Sequence, residues 1–102
     1  MAVTWIEQDE QTNALATVTI AALANRRHQV VCVLGSFNAA SPGRLLNLKI
    51  GGVSKMKLYI HDSGGVAFQD PIEVPVNTTV SLELAAGGAG VLGSVVLIGN
   101  TL

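Results

Sequence analysis

Aromatic and charged residues are scarce in this sequence. Of its 102 residues, 4% are aromatic, 13% are charged and 49% are hydrophobic. This composition excludes an intrinsically disordered chain, which needs low hydrophobicity and high charge. The core must therefore be built mainly from Val, Leu, Ile and Ala. Low charge on so small a domain also suggests that part of its surface meets another subunit.

The sequence also lacks paired cysteines and long apolar runs. A single cysteine, Cys32, cannot form an internal disulfide, and its place in the apolar run 30–34 favours a buried small side chain. No apolar run approaches the roughly 18 residues that span a bilayer. Residues 1–11 show neither the basic nor the apolar region of a secretory signal. We therefore expect a soluble protein that is made in the cytoplasm.

The few charges are unevenly distributed. The formal net charge of −1 predicts no bulk attraction to nucleic acid. All six basic residues lie between positions 26 and 57, and acidic residues flank that segment on both sides. The six are Arg26, Arg27, Arg44, Lys49, Lys55 and Lys57. Two interpretations stay open: basic strands beside acidic strands within one fold, or a basic patch facing an acidic patch on a neighbouring copy.

Hydrophobic alternation predicts an all-β chain. Short alternating or apolar runs, separated by turn residues, recur at intervals typical of a β-sandwich or barrel. The predicted strands cover residues 15–20, 28–37, 44–50, 55–61, 66–68, 72–76, 78–84 and 91–98. Gly51-Gly52 predicts a two-residue hairpin, and Pro71 and Pro75 place the segment between them on a sheet edge. The long apolar run 28–37 suits a strand that is buried on both faces or lies at an interface.

The expected fold is an antiparallel β-sandwich or barrel of about seven or eight strands. Residues 1–14 are expected to form an N-terminal arm, and residues 15–102 the single β-sandwich domain. The alternation predicts that one side of each strand is mostly buried. The residues on that side are Val18, Ile20, Leu46, Leu48, Ile50, Met56, Leu58, Ile60, Val80, Leu82 and Leu84.

A glycine pattern resembles a dinucleotide-binding loop only superficially. Gly88, Gly90 and Gly93 have the GxGxxG spacing and follow a predicted strand. A dinucleotide site needs a helix next, because the helix N-terminus holds the pyrophosphate. The residues that follow favour a strand instead. We expect these glycines to form a loop and a close backbone contact.

No other motif predicts catalysis. His28 and His61 have no histidine or cysteine at metal-ligand spacing, so both are expected to be solvated or at an interface. Asp62 and Asp70 adjoin turn residues, where aspartate binds the backbone. Arg26-Arg27 lacks the interleaved aromatic residues of a nucleic-acid patch. We therefore expect a protein that is not an enzyme, with no catalytic, cofactor-binding or metal-binding residue.

Four segments carry a resemblance to a known family. They are TVTI at 17–20, RRHQVV at 26–31, LNLKIGG at 46–52 and VSLELAAGGAGV at 80–91. In this pattern the chain resembles small β-sandwich virion proteins of tailed bacteriophages, and the likeness covers most of the chain after residue 15. The resemblance implies that the fold is a jelly-roll-like antiparallel β-sandwich. It also implies a capsid decoration (cement) protein that binds and stabilises the outside of the head. The alternative is a small tail or fibre module that binds a host receptor or glycan, although the scarcity of aromatic residues disfavours it.

The same resemblance implies the partners and the location. The partners are the major capsid protein and further copies of the chain, as a homotrimer, with neither nucleic acid nor membrane. The protein would reside in the virion after synthesis in the host cytoplasm. The residues expected at these interfaces are Trp5, Ile6, Arg26, Arg27, Arg44 and Lys55.

The N-terminal arm has three possible docking surfaces. Trp5 and Ile6 lie beside the polar segment 7–13, and burying Trp5 should contribute roughly 1.5–3 kcal/mol. The arm could pack on its own sandwich, with residues 2–6 as the first strand, on a neighbouring subunit or on the capsid. In the latter two cases its three acids would face a basic surface such as the one expected around Arg26, Arg44 and Lys55.

Overall fold

Eight β-strands make up most of the computed structural model, which describes residues 3–40 and 42–102. The strands are β1 (Val3–Thr12), β2 (Ala16–Ile20), β3 (His28–Phe37), β4 (Arg44–Ile50), β5 (Val53–Ile60), β6 (Ser63–Val74), β7 (Val80–Leu84) and β8 (Leu92–Thr101). The described residues include no helix of the length and apolar character needed to cross a membrane.

The strands form two four-stranded antiparallel sheets. Sheet I has the order β1-β8-β3-β6, and sheet II has the order β2-β7-β4-β5. Consecutive strands lie in different sheets, except for the hairpin of β4 and β5, so the chain repeatedly crosses between the layers. This is the strand order of a jelly roll. The predicted all-β, jelly-roll-like sandwich is therefore confirmed.

The core lies between the inward faces of the two sheets. Alternation along each strand sends every second side chain into this space. Seven of the eleven residues predicted to be mostly buried are fully so, and the other four are half-buried and pack against them. The half-buried four are Ile20, Ile50, Met56 and Leu58. From sheet I the core receives Val30, Val33, Phe37, Val74, Val95 and Leu97.

The hairpin between β4 and β5 has the predicted two-residue turn. Ile50 pairs with Val53, and the φ angles of Gly51 and Gly52 are 61° and 79°. Two positive φ angles define a type I′ turn, whose twist matches that of the flanking strands. Glycine is suited to both positions because it has no Cβ to clash there.

Replacing Gly52 tests this turn. A Cβ at Gly52 would meet no atom within 4 Å, so Gly52→Ala should lower the free energy of unfolding by about 1–2 kcal/mol through backbone conformation alone. Gly52→Asn is the matched control, because asparagine tolerates a positive φ and should cost clearly less. Urea unfolding of both variants measures the difference. Equal losses for alanine and asparagine would contradict the argument.

Strand β6 replaces two shorter predicted strands, at 66–68 and 72–76. It runs continuously from Ser63 to Val74 along the edge of sheet I, with Pro71 inside it. Opposite Val31 the pairing of β3 with β6 is irregular, since it jumps from Ala67 to Ile72 on β6. Regular ladder bonds are interrupted there, so a proline without an N–H group is accommodated without ending the strand.

The expected arm forms part of sheet I. Val3–Thr12 is β1, which pairs with β8 along all 10 of its residues; Ala2, expected to begin the first strand, lies outside the described residues. Because β1 is an edge strand and most of its side chains are exposed, polar residues are tolerated there. Of the three possible docking surfaces, the arm of the single chain uses its own sandwich.

Candidate interaction surfaces

Sheet I carries acidic residues on its two edge strands. They are Glu7, Asp9 and Glu10 on β1, and Asp70 and Glu73 on β6. The described residues of its four strands include no lysine or arginine. The two central strands, β8 and β3, carry no carboxylate either. Sheet I is therefore an uncharged centre between two negative edges.

Sheet II carries most of the basic residues. They are Arg44 and Lys49 on β4, and Lys55 and Lys57 on β5. Among the described residues of its strands, the one acidic residue is Glu83 on β7, whose Oε1 lies 2.9 Å from Lys49 Nζ. Strand β4, which is basic, therefore lies beside the acidic residue of β7, as the first of the two interpretations of the charge distribution expects. The two exposed lysines of β5 still leave the outer face of sheet II positive, beside Tyr59, which is 67% exposed. We call this surface of Lys55, Lys57 and Tyr59 the basic face.

The outer face of sheet I is apolar in its middle. Strand register places Ile6, Ile98, Cys32 and Ala67 in one cross-strand row, and Gln8, Val96, Leu34 and Gly65 in the next. We call these two rows the apolar belt. Its large side chains are far from covered, since Ile6 is 66% exposed and Leu34 is 42% exposed.

Polar rows border the apolar belt at both ends. On one side the row is Thr4, Asn100, Gln29 and Glu73, and on the other it is Glu10, Ser94, Ser36 and Ser63. The first row is held by hydrogen bonds, because Thr4 Oγ1 donates to Asn100 Oδ1 at 2.9 Å and Gln29 Nε2 donates to Glu73 Oε1 at 2.7 Å. An apolar centre with a polar rim is the composition of a protein–protein interface.

A depression of about 400 Å³ opens where the apolar belt meets the serine row. Leu34 and Val96 form one side of it, and Ser36, Ser63 and Ser94 form the other, above the backbone of Gly35 and Gly64. Small residues on β6 keep it open. At the adjacent Gly65 a Cβ would collide with the carbonyl oxygen of Val33 and the side chain of Leu34, so glycine is required there.

Trp5 is the anchor of β1. It lies on the inward side of the strand, half-buried, above its register partner Gly99. Its indole Nε1–H donates to Thr101 Oγ1 at 3.0 Å. The ring also stands edge-on to the imidazole of His28, with centroids 6.2 Å apart and planes at 83°. Trp5 therefore contacts its own sandwich rather than solvent.

His28 extends this contact into a chain of hydrogen bonds that runs from Trp5 through Thr101 and His28 to Ala21, which we call the relay. The expectation that it is solvated or at an interface is wrong, because it is 1% exposed. Its Nε2 lies 2.8 Å from the Ala21 carbonyl oxygen and its Nδ1 lies 2.8 Å from Thr101 Oγ1. A carbonyl only accepts and an indole N–H only donates. In the neutral imidazole, Nε2 therefore donates to the Ala21 carbonyl oxygen, and the Thr101 hydroxyl accepts from Trp5 and donates to Nδ1.

Asp9 connects the two sheets. Its Oδ2 accepts a hydrogen bond of 3.0 Å from the backbone N–H of Thr17 on β2, the edge strand of sheet II. This carboxylate is therefore engaged within the chain. Glu7 and Glu10 remain exposed on β1.

The residues expected at interfaces do not form one surface. Arg26 and Arg27 precede β3, at the end of the sandwich where Arg26 Nε donates to the Leu102 carbonyl oxygen at 3.1 Å. Lys55 lies near the hairpin at this same end, exposed on β5. Arg44 pairs with Ile60 at the far end of β5, five residues or roughly 17 Å from Lys55.

The surroundings of Arg44 also differ from those of the other basic residues. Its side chain is half-buried, and its Nε is buried with no hydrogen-bond partner among the described residues. The basic surface expected around Arg26, Arg44 and Lys55 is therefore divided between the two ends of the molecule. Of the residues expected at interfaces, Ile6 is the one that lies in the apolar belt.

The glycine pattern forms the expected loop and close contact. Gly88 and Gly90 lie between β7 and β8 with φ angles of 120° and 73°. Gly93 lies within β8, where a Cβ would approach Phe37 Cε1 to 3.1 Å. A strand follows the pattern, so the arrangement that holds a pyrophosphate at a helix N-terminus does not arise.

The remaining candidate residues lie apart. Asp62 is in the turn before β6, where its carbonyl oxygen accepts from the Phe37 N–H at 2.8 Å, and Asp70 lies well along β6. Cys32 is half-buried on the outer side of sheet I rather than fully buried, and His61 is exposed. Across residues 3–40 and 42–102, no three His, Cys, Asp or Glu side chains are grouped so as to hold a metal ion.

Comparisons with known proteins identify no family for this chain. No family model matches it, and no curated protein matches it. Among solved structures it is similar to the CBM36-1 domain of a multidomain xylanase from the hindgut metagenome of Trinervitermes trinervoides. The identity is 15% and the TM-score is 0.47, over 93% of this chain and 75% of that chain. This likeness concerns overall architecture alone.

Proposed function

We propose that this protein is a structural, non-catalytic component of a tailed-bacteriophage virion. Its role is that of a capsid decoration (cement) protein, which binds the outer surface of the head and stabilises it. The observation that most supports an assembly role is the apolar belt, with its polar rows and its depression. Exposed side chains as large as Ile6 and Leu34 gain free energy when a partner protein covers them.

The resemblance to phage virion proteins supports the choice of the capsid as partner. Its segments fall on β2, the start of β3, β4 with its hairpin, and β7 with the loop that follows. Three of these elements, β2, β4 and β7, belong to sheet II, and Val30 at the start of β3 adds a core residue from sheet I, so the resemblance concerns more than one loop. A rigid sandwich with two broad faces suits repeated attachment to a symmetric shell. On this proposal the chain forms homotrimers in the virion after synthesis in the host cytoplasm.

A receptor- or glycan-binding module of a tail or fibre is the second candidate. Glycan sites usually present exposed aromatic rings, and the exposed Tyr59 is the feature that favours this role. The other aromatic side chains face inward, since Phe37 is buried and Trp5 and Phe68 pack against the core. One exposed ring on a face with two lysines is a small platform for a sugar, so the decoration role is preferred.

Copy number on purified particles distinguishes the two roles. A decoration protein should approach one copy per major capsid subunit, because it covers a repeated site. A tail or fibre module should be present in only a few copies per virion. Quantitative gel densitometry of intact virions and of isolated heads gives the ratio. A ratio far below one on the heads, or absence from the particles, would overturn the decoration role.

A further inference from the structure

We propose that a second copy of this chain covers the apolar belt, and that it does so with its basic face. Tyr59 of the second copy is seated in the depression lined by Ser36, Ser63 and Ser94. This inference rests on the proposed assembly role and names the partner that occupies the belt. Each copy then uses two different surfaces, the belt on sheet I and the basic face on sheet II.

Charge favours this pairing over a symmetric contact between two belts. The edges of sheet I carry exposed carboxylates, Glu10 on β1 and Glu73 on β6, and its strands provide no cation among the described residues. A belt packed on another belt would therefore bring like charges together. The basic face brings Lys55 and Lys57 instead. Complementary charge at the rim of an interface selects the correct partner and its orientation.

The side chain of Tyr59 matches the depression in chemistry. It projects from β5 and is 67% exposed, opposite the half-buried Leu45 on β4. Its ring is apolar and its hydroxyl is polar, and the depression has Leu34 and Val96 on one side and three serines on the other. Tyrosine is among the residues that most often dominate binding energy at interfaces, where it fills a pocket near the centre.

The whole outer face of sheet I approaches the area of a standard protein–protein contact. Four strands about 4.8 Å apart and about ten residues long give sheet I an outer face of roughly 650 Å² in plan. A standard interface buries about 800 Å² of accessible surface on each partner. The accessible surface of a sheet face is larger than its flat area, because side chains project from it. Because the contact joins the outer faces of opposite sheets, it is heterologous and continues from copy to copy as an open row. It is therefore separate from any contact that closes a trimer.

Two variants and their mixture test the contact. Leu34→Asp disables the belt, and Tyr59→Ser disables the basic face. Both side chains are substantially exposed, so both variants should fold, which circular dichroism and thermal unfolding verify. Val76→Asp is the matched control, since Val76 is 51% exposed in the connection between β6 and β7. Sedimentation equilibrium measures association of each protein and of an equimolar mixture of the two disabled variants.

The expected result has three parts. The wild-type chain and Val76→Asp associate alike, and each disabled variant alone associates about tenfold or more weakly. The equimolar mixture forms a dimer and nothing larger, because one intact belt and one intact basic face remain between them. Tyr59→Phe keeps most of the association, because only the contact of the hydroxyl with the serines is lost.

Two results would overturn the inference. If Tyr59→Ser associates like the wild type, the basic face is not the partner of the belt. If the wild-type chain is monomeric at high micromolar concentration, no second copy covers it. The copy number on particles is measured independently of these association experiments. If the chain associates as expected but is absent from virions, the decoration role alone is overturned. If the chain is monomeric but abundant on heads, this inference alone is overturned.

Discussion

Replacing Thr101 by valine should lower the free energy of unfolding by about 2–4 kcal/mol. Valine has nearly the same shape as threonine, so packing is kept while the hydroxyl is lost. The indole N–H of Trp5 and the Nδ1 of His28 then lose the oxygen that lies 3.0 Å and 2.8 Å from them. His28 is buried, so water does not easily replace that partner. Each polar group left unsatisfied costs about 1–3 kcal/mol.

A threonine on the opposite side of the same sheet provides the control. Thr4 on β1 bonds to Asn100 on β8, but that pair is exposed. Thr4→Val should therefore change stability by at most about 0.5 kcal/mol, because water replaces the lost bond. Urea unfolding measures both variants, with fluorescence of Trp5, the single tryptophan of the chain, as the probe. Equal stability of the two variants would mean that the relay does not contribute to folding.

The sequence predicted the parts of the fold where alternation and burial coincide. Strand β7 places Val80, Leu82 and Leu84 inward and its polar residues outward, so its pattern reveals both the strand and its buried side. The hairpin was predictable because two adjacent glycines have few other structural roles. The jelly-roll order of the strands was expected from the resemblance alone, because alternation along a strand does not show which strands lie beside it.

The elements that the sequence left open, missed or misplaced share a physical cause, which is that their structure depends on distant residues. Strand β1 is polar because it is an edge, and only its pairing with β8 makes it a strand. His28 is buried because Thr101 and Ala21 satisfy it from other parts of the chain. Likewise, Ile6, Leu34 and Val96 of the apolar belt come together only through the pairing register of β1, β8 and β3. That register cannot be predicted from a single sequence.

Removing residues 1–10 should abolish the cooperative unfolding transition or lower its midpoint sharply. The deletion takes away most of β1, and with it most of the pairing with β8 and the hydrogen bond that the Thr17 N–H donates to Asp9. It also takes away Trp5, which is half-buried; truncating a fully buried tryptophan costs about 3–5 kcal/mol, and the loss of Trp5 costs part of that. Domains of this size have a total stability of about 5–15 kcal/mol, so the loss is a large part of the whole.

Two point variants show which side of β1 is responsible for this effect. Trp5→Ala removes the anchor on the inward side, and Ile6→Ala removes a side chain that is 66% exposed on the belt. We expect Trp5→Ala to reproduce a large share of the stability loss, and Ile6→Ala to unfold like the wild type while associating more weakly. A truncated chain that keeps its cooperative transition but no longer assembles would show the opposite, namely that β1 acts as a tether between copies. The contacts of Trp5 with Thr101 and His28 lie within one sandwich, and for that reason we expect the truncation to affect folding first.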